Sequence, residues 1–228
     1  GLESVGVDAV KNANPDIRII DASEGIKTIE LAEEDHHHHE GEEDHHHHHH
    51  SHEGGVNPHF FSSPRAAAVQ VRNIAGALAE AVPAQAEKLR QNGEAYAKKL
   101  EAIADVMSKA VEGRPNNRIV TMHEVFDYLA RDCGLSVVGT IHGDAGQEPS
   151  PREMRELIES IRESKPAAVF TEPQYAREVA VTVAKEAAVP VDELDPVASG
   201  PPNAPKDYYE SAMRRNADTL TRVLSSAP

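Results

Sequence analysis

Four short β-branched runs alternate with helical segments in the second half of the chain, and this pattern constrains the fold more than any other feature. Strands that are separated by helices form βαβ units, which place parallel strands in one sheet with helices on its faces. We therefore predict an α/β fold for residues 114–228, with a mostly parallel four-stranded sheet flanked by helices. The four runs are RIVTMH (118–123), LSVVGTIH (135–142), AAVFTEP (167–173) and PVDELD (190–195).

A long helical pattern precedes this lobe and occupies residues 58–113. Ser63 followed by Pro64 is typical of a helix start, because proline is tolerated at the first helical position. Pro83 lacks an N–H and clashes with the preceding turn, so we expect it to kink or split the helix. Gly113 ends the pattern.

Residues 1–32 are too few for a complete lobe. The sequence predicts a short helix from about Glu3 to Asn12, and a strand from Ile17 to Asp21. Because the chain starts at Gly1 without an initiator methionine, we expect a mature or truncated product.

The charge of the chain narrows the class of partner. The formal net charge is -15, which argues against nucleic acid and anionic membranes as partners and favours cations. No stretch reaches the ~20 apolar residues of a membrane span. Motifs of hydrolases and nucleotide-binding enzymes, such as GxSxG, HExxH and the P-loop, are absent from the sequence. We therefore expect no enzyme activity.

Residues 33–57 contain most of the histidine of the chain and no apolar face to bury. We interpret them as a loop that stays disordered until something binds. Neutral imidazoles bind Zn²⁺, and the interspersed carboxylates attract cations. The candidate metal-binding histidines of this loop are His36, His37, His38, His39, His45, His46, His47, His48, His49, His50 and His52.

Three further residues stand where an α/β fold would present a metal site. His59 directly precedes the long helix, and His123 and Asp195 each end a predicted strand. Ligands of open α/β sheets gather at the carboxyl ends of strands, and imidazole with carboxylate suits Zn²⁺. Any one of these residues could instead serve in a turn or a cap. On this reasoning alone His142, which ends the second strand, is as good a candidate as His123.

A family resemblance separates these candidates. Six features follow one another along the chain. They are an acidic, histidine-rich loop, the motif NPHFFSSP, a long helix, and the motifs TMHEVFDYLARDCGL, FTEPQY and LDPVASGP. This order resembles the cluster A-I solute-binding proteins of ABC transporters, the zinc- and manganese-binding periplasmic proteins. By that resemblance, His59 and His123 match two metal-binding histidines of the family and Asp195 matches a carboxylate ligand, whereas His142 matches none. Glu148 begins the EPSP turn and fits a turn or capping group. Glu172, at the end of the third strand, could support a metal ligand, but a structural role is favoured.

The resemblance also implies the fold and the function. It implies a complete C-terminal lobe (114–228), a connecting helix, and only a remnant (1–32) of an N-terminal α/β lobe. The apolar surface that a complete N-terminal lobe would cover is then exposed, and such a surface favours formation of a dimer. The implied function is capture of Zn²⁺ in the periplasm or on an extracytoplasmic lipoprotein, with delivery to an inner-membrane ABC permease. Histidine ligands favour Zn²⁺ over the alternative, Mn²⁺. The histidine-rich loop matches a native insertion of zinc-type relatives.

Two other functions fit the same residues. The chain could be a zinc buffer or metallochaperone that acts mainly through the histidine-rich loop. It could also be a zinc hydrolase with His59, His123 and Asp195 as ligands and water at the fourth position, since catalytic zinc keeps three protein ligands. Removing the loop distinguishes the first of these from a receptor.

Overall fold

A computed structural model describes residues 4–31, 55–142 and 150–226. The chain divides into two compact units. The first comprises Gly1–Ile19 and Lys27–Pro58, and the second comprises Ile20–Ile26 and His59–Pro228.

The described part of the first unit contains one helix and one isolated bridge. Helix α1 spans Ser4–Ala13, as predicted to within a residue. Glu30 pairs with Val56 in an antiparallel bridge, and the Leu31 N–H donates to the Gly55 carbonyl at 2.9 Å. The strand predicted over residues 17–21 is wrong, because these residues form no ladder with another segment. Alternating Ile residues suit a strand, but a strand requires a hydrogen-bonded neighbour.

The second unit begins with a helix that Pro83 splits, as predicted. Helix α2 spans Pro64–Ala81, a short 3₁₀ helix spans Pro83–Gln85, and helix α3 spans Ala86–Val111. The Ser63 hydroxyl accepts a hydrogen bond from the Ala66 N–H and caps α2.

A four-stranded parallel sheet forms the centre of the second unit. Its strands are β1 (Arg118–Thr121), β2 (Ser136–Thr140), β3 (Ala168–Thr171) and β4 (Val191–Glu193). Their order in the sheet is β2-β1-β3-β4, and every neighbouring pair is parallel. The predicted α/β class is confirmed. The strand order reverses between β1 and β3, and ligands of such sheets bind outside the carboxyl ends of the strands at that point.

Four helices connect and flank these strands. They are α4 (Asp127–Cys133), α5 (Pro151–Ser164), α6 (Arg177–Ala187) and α7 (Tyr208–Ser226). Ser150 and Glu153 form the capping box at the start of α5. Gly134 ends α4 at φ 82°, a left-handed conformation that glycine adopts without strain. No helix in the three described ranges is both long and apolar enough to cross a membrane.

The sheet buries both faces, because alternate residues of each strand enter different apolar clusters. Ile119 and Phe170 pack with side chains of α3, α4 and α7 on one face. Val120 and Val169 pack with side chains of α5 and α6 on the other. This arrangement accounts for the continuous apolar character of the strands and makes the carboxyl edge of the sheet a rigid platform.

Close packing of α2 on α3 depends on Gly93. A Cβ built at Gly93 would overlap the Cβ of Ala75, whereas Gly76 has open space around it. We expect Gly93→Ala to lower the free energy of unfolding by about 1–3 kcal/mol, since an overpacked core must shift. The matched control Gly76→Ala should raise it by up to about 1 kcal/mol, because alanine favours the helix. Urea unfolding of both variants checks this, and equal effects would contradict it.

Candidate metal centre

The carboxyl ends of β1 and β3 present two polar side chains at the point where the strand order reverses. His123 follows β1 by two residues, and Glu172 follows β3 directly. His123 Nδ1 lies 2.9 Å from Glu172 Oε1. The Glu172 side chain is fully buried, and the His123 ring keeps partial access to solvent.

The buried carboxylate fixes which nitrogen of His123 is available. With Nδ1 donating to Glu172, Nε2 is left as the lone-pair nitrogen that can bind a metal. The other carboxylate oxygen, Oε2, accepts a hydrogen bond from Gln174 Nε2 at 2.9 Å, so Glu172 is itself held in place. The Thr121 hydroxyl donates to the His123 carbonyl at 2.9 Å and fixes the backbone there. His123 is thus oriented before any metal arrives.

His59 brings a second imidazole to the same place. It precedes the short 3₁₀ helix Phe60–Ser62, and its carbonyl accepts hydrogen bonds from the Ser62 N–H and hydroxyl at 3.1 and 2.9 Å. The centroids of the His59 and His123 rings are 5.3 Å apart. Two imidazoles on one tetrahedral Zn²⁺, with Zn–N distances of about 2.1 Å, would place their centroids roughly 5 Å apart. The spacing therefore fits a shared zinc ion.

Asp195 is held firmly but does not join this pair. The Asn216 side chain accepts from the Asp195 N–H at 2.9 Å and donates to its carbonyl at 2.8 Å. Oδ1 accepts from the Val197 N–H at 2.8 Å, and Oδ2 lies 3.8 Å from a nitrogen of the exposed Arg215. In the described ranges, no three side chains of His, Cys, Asp or Glu are close enough together to hold a metal ion.

His142 has a different environment from His123. It is 7% exposed and stacks on Tyr175 with a centroid distance of 5.1 Å. The same tyrosine contacts His123 at 5.4 Å. Among the described residues the structure gives the His142 Nδ1 atom no hydrogen-bond partner. The eleven histidines of residues 36–52 and Glu148 lie outside the described residues.

Three supporting residues escaped the sequence analysis. Gln174 and Tyr175 follow Glu172 in FTEPQY, but the sequence did not indicate that they surround His123 and its carboxylate. Asn216 lies 21 residues from Asp195, and its hydrogen bonds to the Asp195 backbone were not predicted. A buried asparagine in the apolar face of α7 was the available signal, since a buried amide requires partners.

The acidity of His59 leads to a prediction for the metal-free protein. Burial of the ring lowers the pKa of His59 to about 4, and the nearby charge of His123 acts in the same direction. Between pH 6.5 and 4 the unfolded chain therefore binds a proton that the folded chain does not, so stability falls as pH falls through that window.

We expect wild type to lose about 1 kcal/mol more than His59→Gln across this window, a modest value because the ring is only half-buried. This corresponds to about 2–4 °C in Tm for a chain of this size. Thermal unfolding in a metal chelator from pH 7 to 4 measures the difference. Parallel curves for the two proteins would contradict the prediction.

The sequence profile of a protein family matches nearly the whole chain. The family is described as "ZnuA: Zinc-uptake complex component A periplasmic", and the match covers residues 1–223. The chain belongs to this family. Its members are solute-binding components of metal transport systems, in agreement with the resemblance found in the sequence.

Two curated relatives are 32% identical to the chain. The zinc-binding lipoprotein AdcA of Streptococcus pneumoniae aligns over 174 residues, which are 75% of this chain and 35% of AdcA. The iron-binding protein YfeA of Yersinia pestis aligns over 179 residues, which are 75% of this chain and 56% of YfeA. The chain thus spans between a third and a little over half of the length of these relatives.

Solved structures of solute-binding proteins share the fold. The solute-binding protein FpvC of Pseudomonas aeruginosa, in complex with Mn²⁺, superposes with a TM-score of 0.79 at 26% identity and covers 100% of this chain and 78% of FpvC. A crystal structure of ZnuA gives a TM-score of 0.76 at 25% identity and covers 98% of this chain and 76% of ZnuA. The names of these proteins mention zinc, iron and manganese, so the metal bound by this chain must be argued from its own ligands.

Proposed function

We propose that this chain is the metal-capturing part of an extracytoplasmic zinc receptor, which delivers Zn²⁺ to the membrane permease of an ABC transporter. The observation that carries the proposal is the pair of imidazoles, His59 and His123, whose rings lie 5.3 Å apart at the switch point of the sheet. Zn²⁺ is the cargo of such a protein and undergoes no covalent change. A protein with this function needs no catalytic residue.

The donor set favours Zn²⁺ over Mn²⁺. Both converging ligands are imidazoles, and the carboxylate nearest to them, Glu172, is engaged by His123 and Gln174. Mn²⁺ prefers oxygen ligands, whereas Zn²⁺ binds imidazole well. Competition between the two metals tests this. Zn²⁺ should displace Mn²⁺ at equal concentration, and the reverse would overturn the choice of metal.

Asp195 is proposed as the third ligand. Its Oδ2 atom lies 3.8 Å from a nitrogen of the exposed Arg215, a long ion pair that a bound cation can replace. The two hydrogen bonds with the Asn216 side chain fix the backbone of Asp195, so its carboxylate can rotate toward a metal while the backbone stays in place. Water, a histidine of residues 36–52 or a group from outside the chain would supply the fourth position.

The histidine-rich segment supports a second candidate, a zinc buffer. Eleven histidines among residues 36–52 offer many interchangeable sets of imidazole ligands for Zn²⁺. We propose that this segment collects zinc for the His59–His123 pair. A buffer would instead use it as the principal site.

A shortened protein separates the receptor from the buffer. Leu31 and Gly55 are hydrogen-bonded neighbours, so the two ends of the intervening segment lie side by side. A short Gly/Ser linker can therefore replace residues 33–54; we call this protein the linker variant. Zinc titration of the full chain and the linker variant is the experiment. A receptor keeps one tight site in the linker variant, whereas a buffer loses nearly all of its zinc.

A further inference from the structure

The segment that carries His59 is a short turn, and two side-chain hydrogen bonds join it to helices of the lobe. We call residues 59–63 the His59 turn. Within it, the Ser62 and Ser63 N–H groups donate to the His59 and Phe60 carbonyls, each at 3.1 Å. These bonds shape the turn internally but do not attach it to the sheet that carries His123.

One attachment comes from the C-terminal helix α7. The Tyr209 hydroxyl donates to the Phe61 carbonyl at 2.7 Å, across 148 residues of sequence. The ring of Tyr209 packs against two apolar clusters at once, one beneath the sheet and one between α2 and α3. Burial of the hydroxyl raises the pKa of Tyr209, so the phenol stays a donor at every physiological pH.

A second attachment comes from α4. The Ser63 hydroxyl donates to Asp132 Oδ2 at 2.6 Å, and Arg131 Nε holds Asp132 Oδ1 at 2.9 Å. Helices α4 and α7 thus both hold the His59 turn: α4 bonds Ser63 at its end, and α7 bonds Phe61, two residues from His59. The Phe60 ring adds an apolar contact with Tyr128 at 4.7 Å. The His59 ring also contacts the Phe61 ring edge-on at 5.9 Å, so a shift of Phe61 would be felt by the imidazole.

We propose that Tyr209 is a positioning residue for the metal site, which holds the His59 imidazole at its spacing from His123 through the Phe61 carbonyl. The inference rests on the proposed function. A ligand that is fixed before metal arrives loses less conformational entropy on binding, and so it binds more tightly. Tyr209 touches no metal itself, and its effect is exerted only through the His59 turn.

The chain offers a matched control in Tyr96. Tyr96 belongs to the same apolar cluster as Tyr209 and is partly buried, but its hydroxyl forms no hydrogen bond to another described residue. Tyr209→Phe therefore removes a hydroxyl that donates a hydrogen bond to Phe61, whereas Tyr96→Phe removes a hydroxyl that has no hydrogen bond to another described residue. Any loss of stability common to both variants reports on packing, and a difference between them reports on the bond to Phe61.

Two measurements test the proposal. The first is amide hydrogen exchange of Ser62 and Ser63 in the metal-free full chain, with the Val169 amide as a remote reference. We expect Tyr209→Phe to speed exchange at both serines about 3–10-fold and to leave Val169 unchanged, in line with the loss of one hydrogen bond. The second is zinc affinity of the linker variant by chelator competition, where the same substitution should weaken binding about 3–10-fold. Tyr96→Phe should change neither quantity.

The two measurements distinguish failure of the positioning role of Tyr209 from failure of the proposed function. Unchanged exchange at Ser62 and Ser63 in Tyr209→Phe overturns the positioning role, and so does faster exchange with an unchanged zinc affinity. If the linker variant without further substitution binds no zinc tightly, the proposed function fails. Exchange at the two serines then decides alone whether Tyr209 fastens the His59 turn.

Discussion

Replacing His123 with alanine is expected to weaken zinc binding by the linker variant more than about 100-fold. Loss of a group that merely supports a metal ligand costs about 10–100-fold, and loss of the ligand itself should cost more. His123 is the one proposed ligand whose ring is both oriented by a buried carboxylate and paired with another imidazole. Chelator competition at pH 7 measures the change.

His142 is the matched control for this prediction. It also ends a strand of the same sheet, and the sequence pattern alone does not distinguish it from His123. His142→Ala should leave the zinc affinity within about threefold of the linker variant, because its ring stacks on Tyr175 and its Nδ1 atom has no carboxylate partner among the described residues, unlike that of His123. A loss equal to that of His123→Ala would mean that the site has been assigned to the wrong histidine.

The second large effect is expected at Glu172. Glu172→Gln keeps the shape of the side chain but replaces the carboxylate that accepts from His123 Nδ1 and orients the ring. Outer partners of metal-bound histidines contribute about 10–100-fold in affinity, and we expect a loss in that range. Zinc titration of the linker variant with and without the substitution provides the measurement.

An exposed glutamate controls for the change of charge. Glu112, at the end of α3, is exposed and forms no ion pair with another described residue. Glu112→Gln removes the same unit of charge without touching the site, so it should leave the affinity nearly unchanged. If both substitutions weaken binding equally, the effect comes from net charge, and the orienting role of Glu172 is excluded.

Much of the fold was predictable because local patterns and tertiary structure agree. The β-branched runs form the four strands of the sheet, and Pro83 splits the long helix. Each of these signals acts over a few residues. Such signals predict the structure correctly when the segment packs against another element. The alternation of strands and helices in this chain provides that packing.

The prediction that was wrong, and most of the contacts that were not predicted, depend on residues that are distant in sequence. Residues 17–21 have the composition of a strand but form no strand, since pairing depends on a neighbour that composition does not specify. The approach of His59 to His123 followed from the position of each near the sheet. The hydrogen bonds that hold Asp195 could not be predicted, because the backbone of Asp195 is bonded to Asn216 of α7, 21 residues away in sequence. Asn216 and Tyr209 act through long-range hydrogen bonds that leave no periodic signal. Gln174 is only two residues from its partner Glu172, but a single side-chain contact of this kind has no sequence pattern either.

Calorimetric titration of zinc tests the central claim most directly. It compares the linker variant with the same protein carrying His59→Ala and His123→Ala. The account predicts one tight site per chain in the linker variant and its loss in the double substitution. Equal, weak binding by both proteins would contradict the account, because the His59–His123 pair would then not be a zinc site.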